Sequence, residues 1–257
     1  MECFVHADKK YFPEYNWFEK AISYPYKAPT TSFTFKNGKF YRGIHISLKD
    51  RVPILSIGSN RSPYQLKNKF GVKENLCVTP AKLYNSVIVY AASMSAYGSI
   101  PATQWPCEGS VSDLNLLWLN QEQLQIMHLS EGLGIAYHYV ELDKNTVTIQ
   151  EDDYSGPIFG YISTRGGYLF DGNGPLRLKN IKSNTNTHSS INEYQALNKL
   201  FLENPDGQTS LETWLKNFIS NKSKRLSLID KMSKKSLLPK HVPWKILDLK
   251  VSGNNIY

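Results

Sequence analysis

The sequence predicts an α+β fold, with strands concentrated in the middle of the chain and helices in its C-terminal part. Three observations predict it: a hairpin signal surrounds Asn37-Gly38, a series of short apolar segments follows, and helical patterns come last. Strands and helices that occupy separate parts of a sequence are typical of this class. We divide the chain into an N-terminal extension with a β-hairpin (1–50), a core (51–182) and a basic helical region (183–257).

The size and composition of the chain suit a globular protein. Of its 257 residues, 41% are hydrophobic and 20% are charged, which allows a packed core. No apolar stretch approaches the roughly 20 residues of a membrane-spanning helix, and the first residues lack the basic leader and apolar run of a standard secretory signal. Cys3, Cys77 and Cys107 form no CxxC pair, so neither a zinc site nor a disulfide framework is indicated. We therefore expect a cytoplasmic protein without a metal.

The extension 1–50 is predicted to hold a hairpin. Aromatic residues are dense there, and Pro13, Pro25 and Pro29 interrupt any long helix. The stretch SFTFKNGKFYRGIHISL then alternates apolar and polar side chains around its Asn-Gly pair. Because Asn-Gly supplies the positive φ angles of a type I′ turn, this stretch favours two antiparallel strands.

The core begins with a buried strand, VPILSI, and a helix that starts at Ser62-Pro63. Residues 86–94 and 114–119 are strand-like. Between them, AYGSIPATQWPCEG (96–109) is rich in small residues and proline, and is predicted to be a loop that could form the wall of a pocket.

A short helix is predicted in the second half of the core. NQEQ (120–123) resembles a capping box, LQIMHL continues it, and Gly132 ends it. The segments 136–142, 146–149 and GPIFGYIS are strand-like and complete a predominantly β core.

The C-terminal region carries much of the net charge of +8. After the polar linker NIKSNTNTHSS, helical patterns occupy INEYQALNKLFLEN, TSLETWLKNFIS and SKRLSLIDKMSKKSLL, and Pro239 and Pro243 close the last one. From 216 to 250, lysine and arginine far outnumber Asp230 and Asp248. Such a surface can meet nucleic acid, an anionic membrane or an acidic protein, and the alternative is a solvated, lysine-rich helical face.

Two short stretches contain the residue types of a catalytic site. The first is Ile57-Gly58-Ser59-Asn60. Its glycine allows close approach of a ligand, and its consecutive N–H groups can bind a negatively charged oxygen. The alternative is a plain strand-to-helix turn. Glu131 ends a short helix, where the helix dipole disfavours a carboxylate. Because burial raises the proton affinity of a carboxylate, a buried Glu131 would suit a general base; an exposed loop glutamate is the alternative.

In their order along the chain, these stretches resemble the gamma-glutamylcyclotransferase-like superfamily. Its members carry a Tyr-Gly-Ser-Asn turn, an Ala-Thr loop that ends near a proline and a glycine, and a Glu-Gly pair after a helix, followed by Gly-x-Tyr. The resemblance covers about residues 52–165, and Ile57 takes the place of the tyrosine. The corresponding residues are Gly58-Ser59-Asn60, Ala102-Thr103 with Pro106 and Gly109, Glu131-Gly132, and Gly134-Ile135-Ala136-Tyr137.

The resemblance implies a mixed β-barrel with helices packed outside it, and an enzyme that cyclises a γ-glutamyl amide to 5-oxoproline. The α-amine of the substrate attacks its own γ-carbonyl, so no cofactor is needed, and an amine or peptide is released. A γ-glutamyl small molecule or peptide is the implied substrate. The resemblance implies Glu131 as the catalytic residue and, as substrate-binding residues, Ile57, Gly58, Ser59, Asn60 and Tyr137.

Other reactive side chains have ordinary alternatives. His128 suits a surface or hydrogen-bonded histidine, and no cysteine-protease signature surrounds Cys107. Tyr137 and Tyr139 lie on one predicted strand, and either could close the pocket or pack in the core. Arg165 could reach a substrate carboxylate or belong to a turn.

A function of a different class also fits the sequence. In this alternative, the protein is a non-catalytic barrel that binds a ligand, and its basic tail docks on an anionic partner. Ile57 and the charged tail favour this alternative. A third possibility is a hydrolytic or amidotransferase-like relative, in which water or another amine replaces the intramolecular nucleophile.

Overall fold

The computed structural model describes residues 9–150, 154–172 and 174–247. Cys3 and both ends of the chain, including Asp248 and Lys250, lie outside the described residues. The helices are α1 (Trp17–Ile22), α2 (Pro63–Phe70), α3 (Gln121–Ser130), α4 (Glu193–Glu203), α5 (Leu211–Ser220) and α6 (Lys222–Lys234). The strands are β1 (Phe33–Lys36), β2 (Lys39–Arg42), β3 (Val52–Ser56), β4 (Leu76–Tyr90), β5 (Ala102–Leu119), β6 (Tyr137–Leu142), β7 (Val147–Ile149), β8 (Phe159–Ser163), β9 (Gly167–Tyr168), β10 (Arg177–Leu178), β11 (Ser190–Ile191), β12 (Ser236–Leu237) and β13 (Trp244–Ile246).

One large mixed sheet organises the molecule. Its described strands follow the order β11-β10-β4-β5-β3-β8-β6-β13, with β1 and β7 also paired to β4, and β2 to β1. The pairs β3–β8 and β10–β11 are parallel, and the other pairs in this sheet are antiparallel. Helices pack around this sheet, so the predicted α+β class is confirmed.

The predicted hairpin forms and extends the main sheet. Asn37 (φ 49°) and Gly38 (φ 72°) both adopt the positive φ angles of a type I′ turn between β1 and β2. Phe33 of β1 pairs with Val78 of β4, so the sheet continues into the N-terminal extension. The domain boundaries at 50 and 182 stay a prediction.

The predicted loop 96–109 is wrong from Ala102 onward, because β5 begins there and continues to Leu119. Pro106 and Gly109 favoured a loop in the sequence. Pro106 pairs with Ser86, and Gly109 lies at the irregularity of the β4–β5 ladder that follows, opposite Asn85. Gly109 has a φ of +72° and donates its N–H to Asn85 Oδ1 at 2.9 Å. A bulge therefore absorbs residues that would otherwise end a strand.

The three predicted C-terminal helices are confirmed as α4, α5 and α6, and they share the main hydrophobic core with the sheet. Trp214 and Ile229 belong to the same buried cluster as Leu55 and Ala102. Three short strands in this region, β11, β12 and β13, were not predicted, and β12 lies within the stretch predicted as the last helix, which ends at Lys234 instead. β12 pairs with β9, and β13 pairs with β6; two or three residues are too few to display the alternation of a strand.

A buried carboxylate holds the loop between β4 and β5 against α4. Glu193, in the first turn of α4, is only 1% exposed and accepts the N–H of Ile100 at 2.7 Å. Its other oxygen, Oε2, has no hydrogen-bond partner in the described part of the chain. Burial raises the pKa of Glu193 well above its ordinary value of 4.5, only partly opposed by the Ile100 N–H. On the other side of the loop, the Ser99 hydroxyl donates to the carbonyl of Ala21 at 2.8 Å.

We expect Glu193 to make the stability of the protein depend on pH. Because its pKa is higher in the folded than in the unfolded chain, its contribution is fully present below the unfolded pKa and is lost as pH rises through the folded pKa. Urea unfolding between about pH 5 and pH 8 should show the free energy of unfolding falling with pH, and Glu193→Gln should flatten this slope. Glu212→Gln, at the exposed first turn of α5, is the matched control. An unchanged slope in Glu193→Gln would contradict the assignment.

Candidate functional site

A cavity of about 730 Å³ opens where the end of β3, the end of α3 and the start of α6 meet. Cavities of roughly 300 to 1,000 Å³ hold drug-sized ligands. The described residues that line it are Tyr24, Leu55, Ile57, Gly58, Ser59, Asn60, Gln65, Lys69, Ser93, Met94, Ser95, Ala96, Tyr97, Pro101, Ala102, Ser130, Glu131, Gly132, Ile135, Ala136, Tyr137, Tyr161, Arg165, Lys222, Arg225, Leu226 and Ile229.

A sharp turn after β3 forms one wall of the cavity. β3 ends at Ser56, and a single 3-10 turn, Ser59–Arg61, precedes α2. Gly58 is needed at this turn for close approach, because a Cβ there would overlap the hydroxyl of Tyr24. The opening N–H groups of a helical turn have no acceptor within the turn, so they can face a ligand.

The end of α3 places a carboxylate in the cavity. Glu131 is the C-cap residue of α3, and Gly132 follows with a φ of 60°. The Glu131 side chain is only 14% exposed, and its Oε1 accepts from Asn60 Nδ2 at 3.0 Å and from the ammonium of Lys69. Lys69, on α2, is only 8% exposed. Two helices and the turn after β3 therefore meet at a single ion pair.

Among the described residues, four tyrosines line the cavity: Tyr24, Tyr97, Tyr137 and Tyr161. Burial, followed by the charge of Glu131, raises the pKa of Tyr97 to about 12, and the hydroxyls of Ser59 and Ser95 act in the opposite direction. Tyr137 donates its hydroxyl to the Ala102 carbonyl at 3.1 Å, and burial and the charge of Glu131 raise its pKa well above 10.0. These phenols are therefore neutral at physiological pH.

Tyr24 connects the N-terminal extension to this site. Its hydroxyl accepts the Ala102 N–H at 3.0 Å while it packs against Gly58, and burial raises its pKa well above 10.0. Both polar groups of the Ala102 backbone are thus held by phenols, one from residue 24 and the other from residue 137.

The residues singled out in the sequence lie together. Glu131, Tyr137 and the turn 57–60 all line the cavity. The roles assigned to them stay predictions. Arg165 also lines the cavity, with Nη1 3.4 Å from the Ile135 carbonyl.

Three other candidates pack in the interior. Tyr139 is buried and stacks on Phe159 with ring centroids 5.3 Å apart. His128 is also buried, with Nδ1 2.8 Å from the Tyr161 hydroxyl, and burial lowers its pKa. Cys107 is buried in a small separate cluster. These three are absent from the described lining of the cavity.

The sequence did not identify Lys69, Tyr97, Tyr24 or the α6 residues of the site. Lys69 lies seven residues after the helix start at Ser62, on a short amphipathic helix where a lysine is ordinarily exposed. Tyr97 lies within the segment 96–109, which the sequence predicts to form the wall of a pocket. This prediction is the one signal that could have identified Tyr97. Tyr24 and α6 are far from the turn in sequence and are brought to it by tertiary packing.

Solved structures similar to this chain include a gamma-glutamyl cyclotransferase. It is 17% identical, the match covers 44% of this chain and 67% of that one, and the TM-score is 0.38. A solution structure of an Arabidopsis thaliana protein is 15% identical over 46% of this chain and 74% of its own, with a TM-score of 0.35. A crystal structure of an uncharacterized Homo sapiens protein is 17% identical over 45% of this chain and 68% of its own, with a TM-score of 0.37. No protein-family model and no curated protein matches the sequence.

Neither a metal cluster nor a membrane-spanning helix is found in the described part of the chain. Its His, Cys, Asp and Glu side chains form no group of three or more that could hold a metal ion. None of its helices combines the length and apolar composition needed to cross a bilayer.

We expect Gly58→Ala to destabilise the protein through Tyr24. The added methyl group would overlap the Tyr24 hydroxyl, and overpacking of this kind costs about 1 to 3 kcal/mol. Tyr24→Phe removes the overlapping oxygen at the expense of one hydrogen bond to Ala102. In a double-mutant cycle measured by urea unfolding, Gly58→Ala should therefore cost less in the Tyr24→Phe background than in the wild type. Strict additivity of the two changes would contradict this contact.

Proposed function

We propose that this protein is a gamma-glutamylcyclotransferase-like enzyme, which cyclises a γ-glutamyl amide to 5-oxoproline and releases an amine or a peptide. The observation that carries the proposal is the largely buried Glu131 carboxylate, which lies in a ligand-sized cavity within hydrogen-bond distance of the turn after β3. A carboxylate facing a water-restricted cavity is positioned to move protons for a bound substrate.

Glu131 acts as the proton shuttle of the reaction. It takes a proton from the substrate's α-ammonium, and the resulting amine attacks the γ-carbonyl carbon to form the ring C–N bond. Glu131 gives this proton to the departing nitrogen as the original amide C–N bond breaks, and it then takes the second proton from the ring nitrogen and passes it to the released amine, which leaves as an ammonium. Because the nucleophile is tethered to its target, effective molarities of about 10⁵ M or more are attainable without a cofactor.

Lys69 and Asn60 match the other polar groups of a γ-glutamyl substrate. An α-amino acid carries an ammonium and a carboxylate on one carbon, and the Glu131–Lys69 ion pair presents the complementary charges side by side. Asn60 Oδ1 is buried and has no hydrogen-bond partner among the described residues, so it is an acceptor for the second N–H of the ammonium. We assign Lys69 to the substrate's α-carboxylate.

The turn after β3 stabilises the tetrahedral intermediate. The backbone N–H groups of Gly58, Ser59 and Asn60 are donors for its oxyanion, where one donor is worth about 3 kcal/mol. Tyr97, which stays protonated because its pKa is raised to about 12, adds a neutral hydroxyl beside Ser59. Ile57 is buried under the turn and contributes an apolar wall.

Glu131→Gln should abolish formation of 5-oxoproline while the protein stays folded. Gln preserves the shape of the side chain and one acceptor oxygen for Lys69 and Asn60, but it cannot accept the substrate proton. Mass spectrometry with γ-glutamyl amines, γ-glutamyl peptides and glutathione measures the product, and circular dichroism measures the fold. Glu122→Gln, at the exposed start of the same helix, is the control. Turnover by Glu131→Gln would exclude Glu131 as the proton shuttle.

Lys69→Gln should weaken selection for the α-carboxylate. A charge-assisted hydrogen bond is worth about 1.5 to 3 kcal/mol. The matching 4-aminobutanoyl amide differs from a γ-glutamyl amide only in lacking the α-carboxylate. The kcat/KM of the wild type should therefore be at least about tenfold higher for the γ-glutamyl amide. The ratio of the two kcat/KM values should fall towards one in Lys69→Gln and stay high in Lys73→Gln, an exposed lysine just after α2. A loss of activity with an unchanged ratio would assign Lys69 to structure alone.

A further inference from the structure

Tyr24 brings a buried hydroxyl from the N-terminal extension to the wall of the cavity. It follows α1 and lies outside residues 52–165, the part of the sequence that resembles the superfamily. Its side chain is only 4% exposed, yet it lines the cavity together with Gly58. The hydroxyl lies against Gly58, where a Cβ would overlap it. This phenol therefore stands beside the turn whose backbone N–H groups we assign to the oxyanion.

The Tyr24 hydroxyl uses only part of its hydrogen-bonding capacity within the protein. Its oxygen accepts the Ala102 N–H at 3.0 Å. A phenol also has one proton to donate, and among the described residues no acceptor for that proton is found. Burial raises the pKa of Tyr24 well above 10.0, so the proton stays on the oxygen at physiological pH. Because buried polar groups are normally hydrogen-bonded, this O–H fits an oxygen of a ligand in the cavity.

A neighbouring phenol shows that position distinguishes Tyr24. Tyr26 is 5% exposed, and its hydroxyl has no hydrogen-bond partner in the described part of the chain. It packs against the Tyr24 ring, with ring centroids 6.2 Å apart, but it is absent from the described lining of the cavity. A buried hydroxyl with an unused proton is therefore not by itself a site in this region, and Tyr24 differs because its hydroxyl borders the cavity.

The segment around Tyr24 is held on two sides. On one side, Ser99 of the loop between β4 and β5 donates to the carbonyl of Ala21 in α1 at 2.8 Å. On the other side, Tyr26 packs against Tyr64 of α2, with ring centroids 4.9 Å apart. A donor that is fixed before the reaction stabilises a developing charge without reorganisation. The extension therefore places the Tyr24 hydroxyl as firmly as a residue of the core.

We propose that Tyr24 is a catalytic residue that donates a hydrogen bond to the γ-carbonyl oxygen of the substrate. This proposal rests on the proposed function. When the substrate amine adds to the γ-carbonyl carbon, an electron pair of the C=O bond moves to the oxygen, and the resulting oxyanion accepts the Tyr24 O–H. The proton stays on Tyr24 throughout. The C=O bond forms again as the original amide C–N bond breaks, and the hydrogen bond then weakens.

Tyr24→Phe tests the proposal, because it removes the donor and keeps the ring. Its kcat for a γ-glutamyl amide should be about a hundredfold below that of the wild type, since loss of one oxyanion donor costs about 10²- to 10³-fold in kcat. KM should change little, because the hydrogen bond is strongest in the transition state. Tyr26→Phe, which removes the neighbouring hydroxyl outside the cavity, is the matched control and should keep the wild-type kcat. A wild-type kcat in Tyr24→Phe would overturn the proposal.

Tyr24→Phe also removes the acceptor of the Ala102 N–H, so calorimetric binding of 5-oxoproline and proline is used to separate a structural effect. Both ligands have a five-membered ring and a carboxylate, and 5-oxoproline adds the former γ-carbonyl oxygen. Tyr24→Phe should weaken the binding of 5-oxoproline by about three- to tenfold and leave the binding of proline unchanged. Equal weakening for the two ligands would show that Tyr24 only shapes the cavity, and would overturn the proposal.

The binding comparison also separates the proposal from the proposed function, because it requires no turnover. If the wild type forms no 5-oxoproline from γ-glutamyl substrates, the proposed function fails and the two ligands still test the donor. A loss in Tyr24→Phe that is confined to 5-oxoproline supports a donor to the carbonyl oxygen. An equal loss for both ligands, or no binding of 5-oxoproline to the wild type, overturns it.

Discussion

A carboxylate withdrawn from water must have its charge compensated, and the candidate site is built around this requirement at Glu131. The end of α3 cannot provide the compensation, because its carbonyl groups carry the negative end of the helix dipole. Lys69 supplies the opposite charge from α2, and Asn60 supplies a hydrogen bond from the turn between β3 and α2. Removing one member would leave an uncompensated group in a largely buried place, which is usually costly. This cluster therefore joins α2, α3 and the end of β3 at the site, next to the apolar core that the same elements share.

The same cluster makes the two ends of the cavity different in charge. At one end, paired opposite charges and a buried amide oxygen suit a zwitterionic head group. At the other end, Arg165 and Arg225 lie among the apolar side chains of Ile135 and Leu226. The two ends of the cavity therefore differ in charge and in polarity, so a ligand with a zwitterionic head group has one favoured orientation.

The sequence predicted the parts of the molecule that depend on local interactions. Residues that are close together in the sequence determine the Asn37-Gly38 hairpin, the capping box at Asn120 and the three C-terminal helices. It failed where tertiary structure overrides local preference, as at Pro106 and Gly109, which a bulge accommodates within β5. In the site, the turn 57–60, Glu131 and Tyr137 were found through the order of their motifs. Lys69 and the α6 residues of the cavity were not identified. A lysine that is neutralised by a distant residue has no local signature, and α6 is brought to the cavity by tertiary packing.

The loop between β4 and β5 shows how the ends of the chain contribute to its middle. Ser99 donates to the carbonyl of Ala21, and the N–H of Ile100 donates to Glu193, so residues from both ends of the chain hold adjacent positions of the loop, whose neighbours Tyr97 and Pro101 line the cavity. Ribosomes add residues one by one, from the N-terminus onward. The sheet around β4 and β5 can be translated long before α4 emerges, but the loop cannot acquire its bond to Glu193 until then. A nascent chain therefore lacks this anchor until Glu193 has left the ribosome, and it lacks the α6 part of the cavity lining for longer still. A ribosome-stalled fragment that ends before α4 would have β4 and β5 without this anchor.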